Sequence, residues 1–185
     1  MGPMNEPVSD HFNPLKLKEA VHFVCKKMAL EPHKLGAVKL QKIIWYFDVK
    51  SYRLTTKTAT GAIFIKGQFG PYTVEIARVV RELVAANRLF TDTEDYFGND
   101  KARLIGKGPT DLSVFSDKEK RWLDEITADI CENHSAASIS ERSHGAIWRM
   151  AEFGETIPFP ATVIPLRKPS AEAVDAVKRE LGIAP

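Results

Sequence analysis

Ser143 and His144 stand side by side, the two residue types from which a hydroxyl nucleophile and its general base are made. Neighbouring positions on a helix point about 100° apart, however, and a Ser–His dyad needs converging side chains. No Gly-x-Ser-x-Gly elbow accompanies them, so His144 reads as a helix-terminal histidine making a structural hydrogen bond. His22 and Cys25 lie one helical turn apart and could touch the same metal. Zinc needs three or four ligands, and His11, His33 and His134 form neither HExxH nor a Cys/His cluster with that pair. The run Gly67-Gln68-Phe69-Gly70-Pro71 precedes a helix, a position where backbone amides can cradle an anion. It lacks the phosphate-loop spacings, and Pro71 removes one amide donor, so it reads as a strand-to-helix turn. Asp92, Glu94 and Asp95 fall in a polar stretch where a raised carboxyl pKa is not expected. No catalytic residue, metal ligand set or cofactor site is expected, and the chain reads as a binding protein rather than an enzyme.

Composition bounds what it binds. The 185 residues suit one domain with a real core, with 44% hydrophobic and 27% charged residues. Twenty-six basic against 24 acidic residues leave a net charge of +2, which argues against a dedicated nucleic-acid binder. Cys25 and Cys131 each fall inside amphipathic patterns and are read as reduced, partly buried thiols. The N-terminus carries no charged and apolar leader pattern, and no run approaches the ~18 apolar residues of a membrane span. A soluble, cytoplasmic protein without membrane attachment is expected.

The elements follow from periodicity and punctuation. Residues 1–13 read as a flexible N-terminal segment. Leu17, Ala20, Val21, Val24 and Met28 give a first helix over 15–28, closed by Pro32. Leu40, Ile43, Ile44 and Phe47, widened by Trp45 and Tyr46, give a central core helix over 37–54. The β-branched run Thr58–Ile65 reads as a strand. Thr73 caps a third helix with Ile76, Ala77, Val80, Leu83 and Val84 inward. Thr91–Lys101 reads as a polar turn, and Ala102–Ile105 as a strand pairing with 60–66. Ser116 with Glu119 is a capping box opening a helix with Trp122, Leu123, Ile126 and Ile130. Ser138 with Glu141 repeats the pattern, ahead of a short helix ending near His144. A further short turn runs from Trp148 to Ala151. Phe153–Leu166 reads as an extended strap, and Ser170 caps a last helix with Val174, Val177 and Leu181 on one side. The expected fold is mainly α, with about five to seven helices and a small two- or three-stranded antiparallel sheet. A single domain is expected over 14–166, with the helix of 167–185 packed on it or extending it.

Three segments in order carry a resemblance. Lys39-Leu40-Gln41-Lys42-Ile43-Ile44-Trp45-Tyr46-Phe47 resembles the KLQKLLYF-type signature of Panacea-domain proteins, also called SocA-like or GepA-like. Phe69-Gly70-Pro71-Tyr72 is similar to the aromatic-Gly-Pro element of that family, and Ser143-His144 with Trp148 and Ala151 to its [ST]-H-x-x-x-W-x-x-A element. The order holds across residues 15–155; Gly67, where many relatives carry tryptophan, and Tyr72, where valine is usual, depart from the pattern. The resemblance implies an antitoxin of a bacterial toxin–antitoxin pair that neutralises a cognate protein toxin by direct contact. In some members the toxin is delivered to a cellular protease, and the family also occurs in prophages. Partner-binding candidates are Lys39, Gln41, Lys42, Trp45, Phe69, Gly70, Pro71, Tyr72, Ser143, His144 and Trp148, with the four aromatics as anchors in an apolar patch. Gly70 and Pro71 are expected to act through the turn they shape. The alternative is a DNA-binding transcriptional regulator of winged-helix-like arrangement, using Lys39, Lys42, Lys50, Arg53, Lys57 and Lys66.

Overall fold

The computed structural model describes residues 12–96 and 99–163. The segment 1–11 and the helix expected from Ser170, with Val174, Val177 and Leu181, lie outside the described residues. Six α-helices are present among those described: α1 (Pro14–Lys27), α2 (Gly36–Thr55), α3 (Val74–Ala85), α4 (Asp117–Asn133), α5 (Ala136–Ser143) and α6 (Ala146–Met150). Two antiparallel hairpins accompany them, β1 (Ile65–Gly67) with β2 (Gly70–Tyr72), and β3 (Leu89–Tyr96) with β4 (Asn99–Gly106). The fold is thus mainly α with small antiparallel sheet, as the sequence suggests.

Helix α2 is the central element. Leu40, Ile43, Ile44 and Phe47 are essentially inaccessible, and α4, α5, β2 and β4 all pack against it. Helix α1 crosses it and fills the space toward α3 and β4 with Leu17, Ala20, Val21 and Val24. The helix starts obey local chemistry. Asn13 caps α1 through Lys16 N at 2.9 Å, and Thr73 caps α3. Ser116 and Glu119 close the predicted capping box, the Ser116 amide donating to Glu119 Oε2 at 2.8 Å.

Five local expectations are corrected. Thr58–Phe64 is not a strand: the strand begins only at Ile65. The cause is Asp48, a fully buried carboxylate on α2 that accepts from Thr60 N at 2.7 Å and Thr60 Oγ1 at 2.5 Å. That anchor lays the segment along α2, burying Ala59, Ala62 and Phe64 without a strand partner. Thr91–Tyr96 and Asn99–Lys101 are paired strands rather than a turn, and Ala102–Ile105 pairs with Phe90–Thr93 instead of 60–66. The acidic residues there had masked the β-branched and aromatic positions Phe90, Thr91, Thr93 and Tyr96. Helix α5 is capped by Ser135, not Ser138; Ser138 is the reciprocal partner, with amide-to-hydroxyl bonds of 3.0 Å in both directions. The strap after Phe153 bridges Ile65 through Thr156 and then coils into a 3₁₀ turn over Phe159–Val163.

Candidate functional site

The residues between α2, the β1–β2 hairpin and α5 form one polar clamp. Gln41 grips the backbone of Thr73 twice, donating Nε2 to its carbonyl at 3.0 Å and accepting from its amide at 3.1 Å. Lys42, one position on, is buried with 2% exposure and donates Nζ to the Pro71 carbonyl at 2.8 Å. Burial, which disfavours the ammonium, pulls its pKa down to about 7. From the other side Ser140 Oγ donates to the Phe69 carbonyl at 2.7 Å, and Ser143 Oγ to the Ser140 carbonyl at 2.6 Å. The alternate carbonyls of Phe69, Pro71 and Thr73, and the Thr73 amide, are therefore held by side chains of α2 and α5.

Gly70 is the point where these elements meet. Its φ of +99° lies where L side chains are strained, and an added Cβ would stand 2.2 Å from Ser143 Oγ and 2.8 Å from Lys42 Nζ. With Gly70 pinned, the hairpin presents Phe69 outward at 56% exposure and Tyr72 at 37%. These two rim an apolar groove of about 590 Å³. Its walls are Ala37, Val38 and Leu40 of α2, Ile76, Ala77 and Val80 of α3, and Thr91, Ala102 and Leu104 of the second hairpin. Phe153, 77% exposed, completes the rim from the strap.

Beside the clamp, His144 and Trp148 stack with centroids 3.7 Å apart and planes 6° from parallel. Lys66 Nζ stands 4.4 Å from the Trp148 ring and donates to the Ala151 carbonyl at 2.9 Å. Burial, reinforced by the positive charge of Lys42, holds His144 below the usual imidazole range. His144 Nε2 and Trp148 Nε1 are buried without a hydrogen-bond partner among the described residues. Ser143 and His144 do not converge as nucleophile and base: the hydroxyl is spent on a backbone carbonyl and the imidazole on the indole face.

The structure thus brings together Gln41, Lys42, Phe69, Gly70, Pro71, Tyr72 and Ser143, with His144 and Trp148 adjoining. It separates two candidates from them. Trp45 is a core residue, packed on Phe64 at 5.1 Å and Phe159 at 5.2 Å between centroids. Lys39 donates Nζ to the Lys34 carbonyl at 2.8 Å and to Cys131 at 3.3 Å, inside the last turn of α4, where unpaired carbonyls welcome a cation. Phe153, Ser140 and Lys66 are site residues that sequence reading did not nominate for partner contact. Phe153 sits in a proline-rich stretch with no periodicity, and nothing in the pattern around Ser140 marks it. Among the described residues, no cluster of three or more His, Cys, Asp or Glu could hold a metal ion. Also among those residues, no helix is long and apolar enough to cross a membrane.

Comparison with known proteins follows the same residues. A family described as antitoxin SocA-like, Panacea domain, matches over residues 40–149, the span from the start of the α2 core through the His144–Trp148 stack. Comparisons with curated proteins and with solved structures return no match.

Proposed function

Because the chain belongs to the SocA-like Panacea antitoxin family, we propose that it neutralises a protein toxin by holding it against the groove between α2, α3 and the two hairpins. The observation that carries this reading is the rim of Phe69, Tyr72 and Phe153, set outward by a hairpin whose backbone is clamped from beneath. Exposed aromatics on a rigid platform beside an apolar groove are the anchors that concentrate binding energy at protein interfaces. The chemistry needed is recognition alone. Lys42, Ser143 and His144 contribute by fixing the platform rather than by attacking a bond. Trp45 and Lys39 leave the set of contact candidates for the same physical reason: both are buried by the protein's own core.

The winged-helix alternative has no observation in its favour. Lys39 and Lys42 are buried on carbonyls, Lys50 pairs with Glu125 at 2.8 Å, and Arg53 donates to the Thr162 carbonyl at 3.0 Å.

The test is co-expression of the protein with the products of its neighbouring genes, read as growth rescue and pull-down in the cytoplasm of a bacterial host. Rescue by the wild-type protein, lost in Phe69→Glu/Phe153→Glu while the variant keeps its melting temperature, is the expected result. Two exposed aromatics at an interface centre correspond to a loss of about 2–4 kcal/mol, at least thirtyfold in affinity. Rescue undiminished by the pair of substitutions would place the toxin on another surface. Following the toxin's half-life in the same cells distinguishes sequestration, in which it persists, from handover to a protease, in which it disappears.

A further inference from the structure

A small pocket of about 220 Å³ opens between the C-terminal half of α2, the corner from α5 into α6 and the strap. It shares no lining residue with the aromatic-rimmed groove. Arg53, Arg142, the Tyr46 phenol and the Trp148 indole stand in its walls, and among the described residues no carboxylate lines it. Both guanidiniums act on the same point: burial pushes the Tyr46 hydroxyl above the usual phenol range, and the positive charges of Arg142 and Arg53 pull against it. The remaining wall is apolar, with Val49 and Ile157 buried and Ile147 half-buried.

The cations in this pocket are not neutralised by the fold. Arg53 donates Nη2 to the Thr162 carbonyl at 3.0 Å and meets no carboxylate among the described residues. Arg142 donates Nη1 to His134 Nε2 at 2.9 Å, and its nearest carboxylate, Asp129, stands 3.9 Å away, beyond hydrogen-bond reach. A guanidinium offers five N–H donors in a planar fork, so each arginine keeps donors to spare. A second, independent observation asks for an acceptor at the same place. Trp148 Nε1 is buried without a hydrogen-bond partner among the described residues, and an indole nitrogen can only donate. Guanidinium forks and an indole N–H, with no acid among them, match the two oxygens of a carboxylate. The volume falls below the roughly 300–1,000 Å³ of drug-sized ligand sites, which suits a single ring or short chain rather than a helix of a protein partner.

We propose that this pocket binds a small organic acid, its carboxylate held by Arg53, Arg142 and Trp148 and its apolar body lying against Val49, Ile147 and Ile157. The site adjoins the clamp without belonging to the toxin-facing groove. Ser143, which lines the pocket, follows the Arg142 that grips the acid, and His144 stacks on the Trp148 ring. The inference stands or falls on the protein alone and does not depend on the identity of any toxin.

The experiment is a titration of the full-length, ¹⁵N-labelled protein with benzoate and, separately, with the neutral benzamide, at constant ionic strength. The three tryptophans give three indole N–H signals, and Trp148→Phe identifies the one that reports on the pocket. Benzoate is expected to move the Trp148 signal downfield and to saturate, with a midpoint of about 1 mM or below, ordinary for so small a ligand. Trp122 lies outside the pocket, and its signal stays in place. Benzamide, of the same shape without the charge, needs at least about tenfold more. Arg53→Gln and Arg142→Gln each weaken benzoate by at least about tenfold and leave benzamide unchanged. Both arginines are exposed, so these variants keep the melting temperature of the fold. A Trp148 signal unmoved by benzoate up to about 10 mM overturns the proposal. Equal midpoints for benzoate and benzamide overturn it too, leaving an apolar cleft without a carboxylate site, as does benzoate binding that survives both arginine substitutions.

Discussion

At the level of single residues, Gly70 and Lys42 define how tightly the binding face is specified. Replacing Gly70 with alanine forces a Cβ into the space between Ser143 Oγ and Lys42 Nζ at a backbone φ of +99°. The strain and displacement together are expected to lower stability by about 2–4 kcal/mol. Ser143→Ala in the same protein removes the nearer obstacle, so the double variant recovers part of the loss in urea unfolding. Simple additivity of the two substitutions would show that the contact is not the cause. Lys42 gives a prediction in pH. Its folded-state pKa is lowered from 10.5 to about 7, so between those values the unfolded chain binds the extra proton. Stability therefore rises as pH climbs from about 7 toward 10, by up to about 1.4 kcal/mol per unit, and is flat in this respect below 7. Lys42→Met removes that slope, a difference read from urea midpoints at pH 7.5 and 9.5. An unchanged slope in the variant means that Lys42 is charged in the folded protein throughout.

At the level of elements, the β3–β4 hairpin depends on a buried polar lock to α1. Glu19, 2% exposed, accepts from both terminal nitrogens of Arg88 at 2.7 Å and from the Asp111 amide at 2.9 Å. His22, fully buried beside it, has Nε2 at 2.8 Å from the Lys107 carbonyl and 3.1 Å from that of Arg88, so this nitrogen carries the hydrogen. Its Nδ1 then accepts from Arg88 Nη2 and Thr110 Oγ1, both at 2.9 Å. Arg88→Met leaves the Glu19 carboxylate buried without its partner, with an expected cost of about 3–5 kcal/mol in unfolding free energy. Glu19→Gln/Arg88→Met recovers much of this, and a cost confined to a few tenths would make the lock a surface pair. Nothing in the sequence joins Glu19 and His22, one turn apart on α1, to Arg88 just ahead of β3. This marks the boundary of what was legible. The helices could be read because Thr73, Ser116 and Glu119 announce the starts of α3 and α4, and Leu40–Phe47 shows the core stripe of α2, whereas the Asn13 cap of α1 was not read. The run Thr58–Phe64 was misread because Asp48, ten or more residues upstream, takes its hydrogen bonds. The site was legible where its parts were contiguous, as in Phe69–Tyr72, and illegible at Phe153, which reaches the groove only through the fold.

Across the whole molecule, the near balance of charge has a structural origin that decides between partner classes. Four lysines, of α1, of the turn that follows it and of α2, are answered by one acidic helix. Glu119 of α4 meets Lys16 at 2.5 Å, Asp124 pairs with Lys27, Glu125 meets Lys50 at 2.8 Å and Glu132 meets Lys34 at 3.0 Å. Each is worth little alone where exposed, about 0–1 kcal/mol, but together they place carboxylates beside the cations that a nucleic acid would have to reach. The local run of basic residues from Lys39 to Lys66 is therefore not a continuous basic face in three dimensions. Duplex DNA is expected to bind no more tightly than about 10⁻⁵ M at physiological salt, the range of general attraction to phosphate. Reversing two α4 charges, in Asp124→Lys/Glu125→Lys, frees Lys27 and Lys50 and adds two cations. That variant gains DNA affinity, with a steeper fall between 50 and 200 mM salt by roughly two to four counterions in the log–log slope. Fluorescence anisotropy with a labelled random duplex reads both proteins. Nanomolar binding by the wild type would mean that α4 does not shield these lysines, and would move the functional reading from a protein partner to DNA.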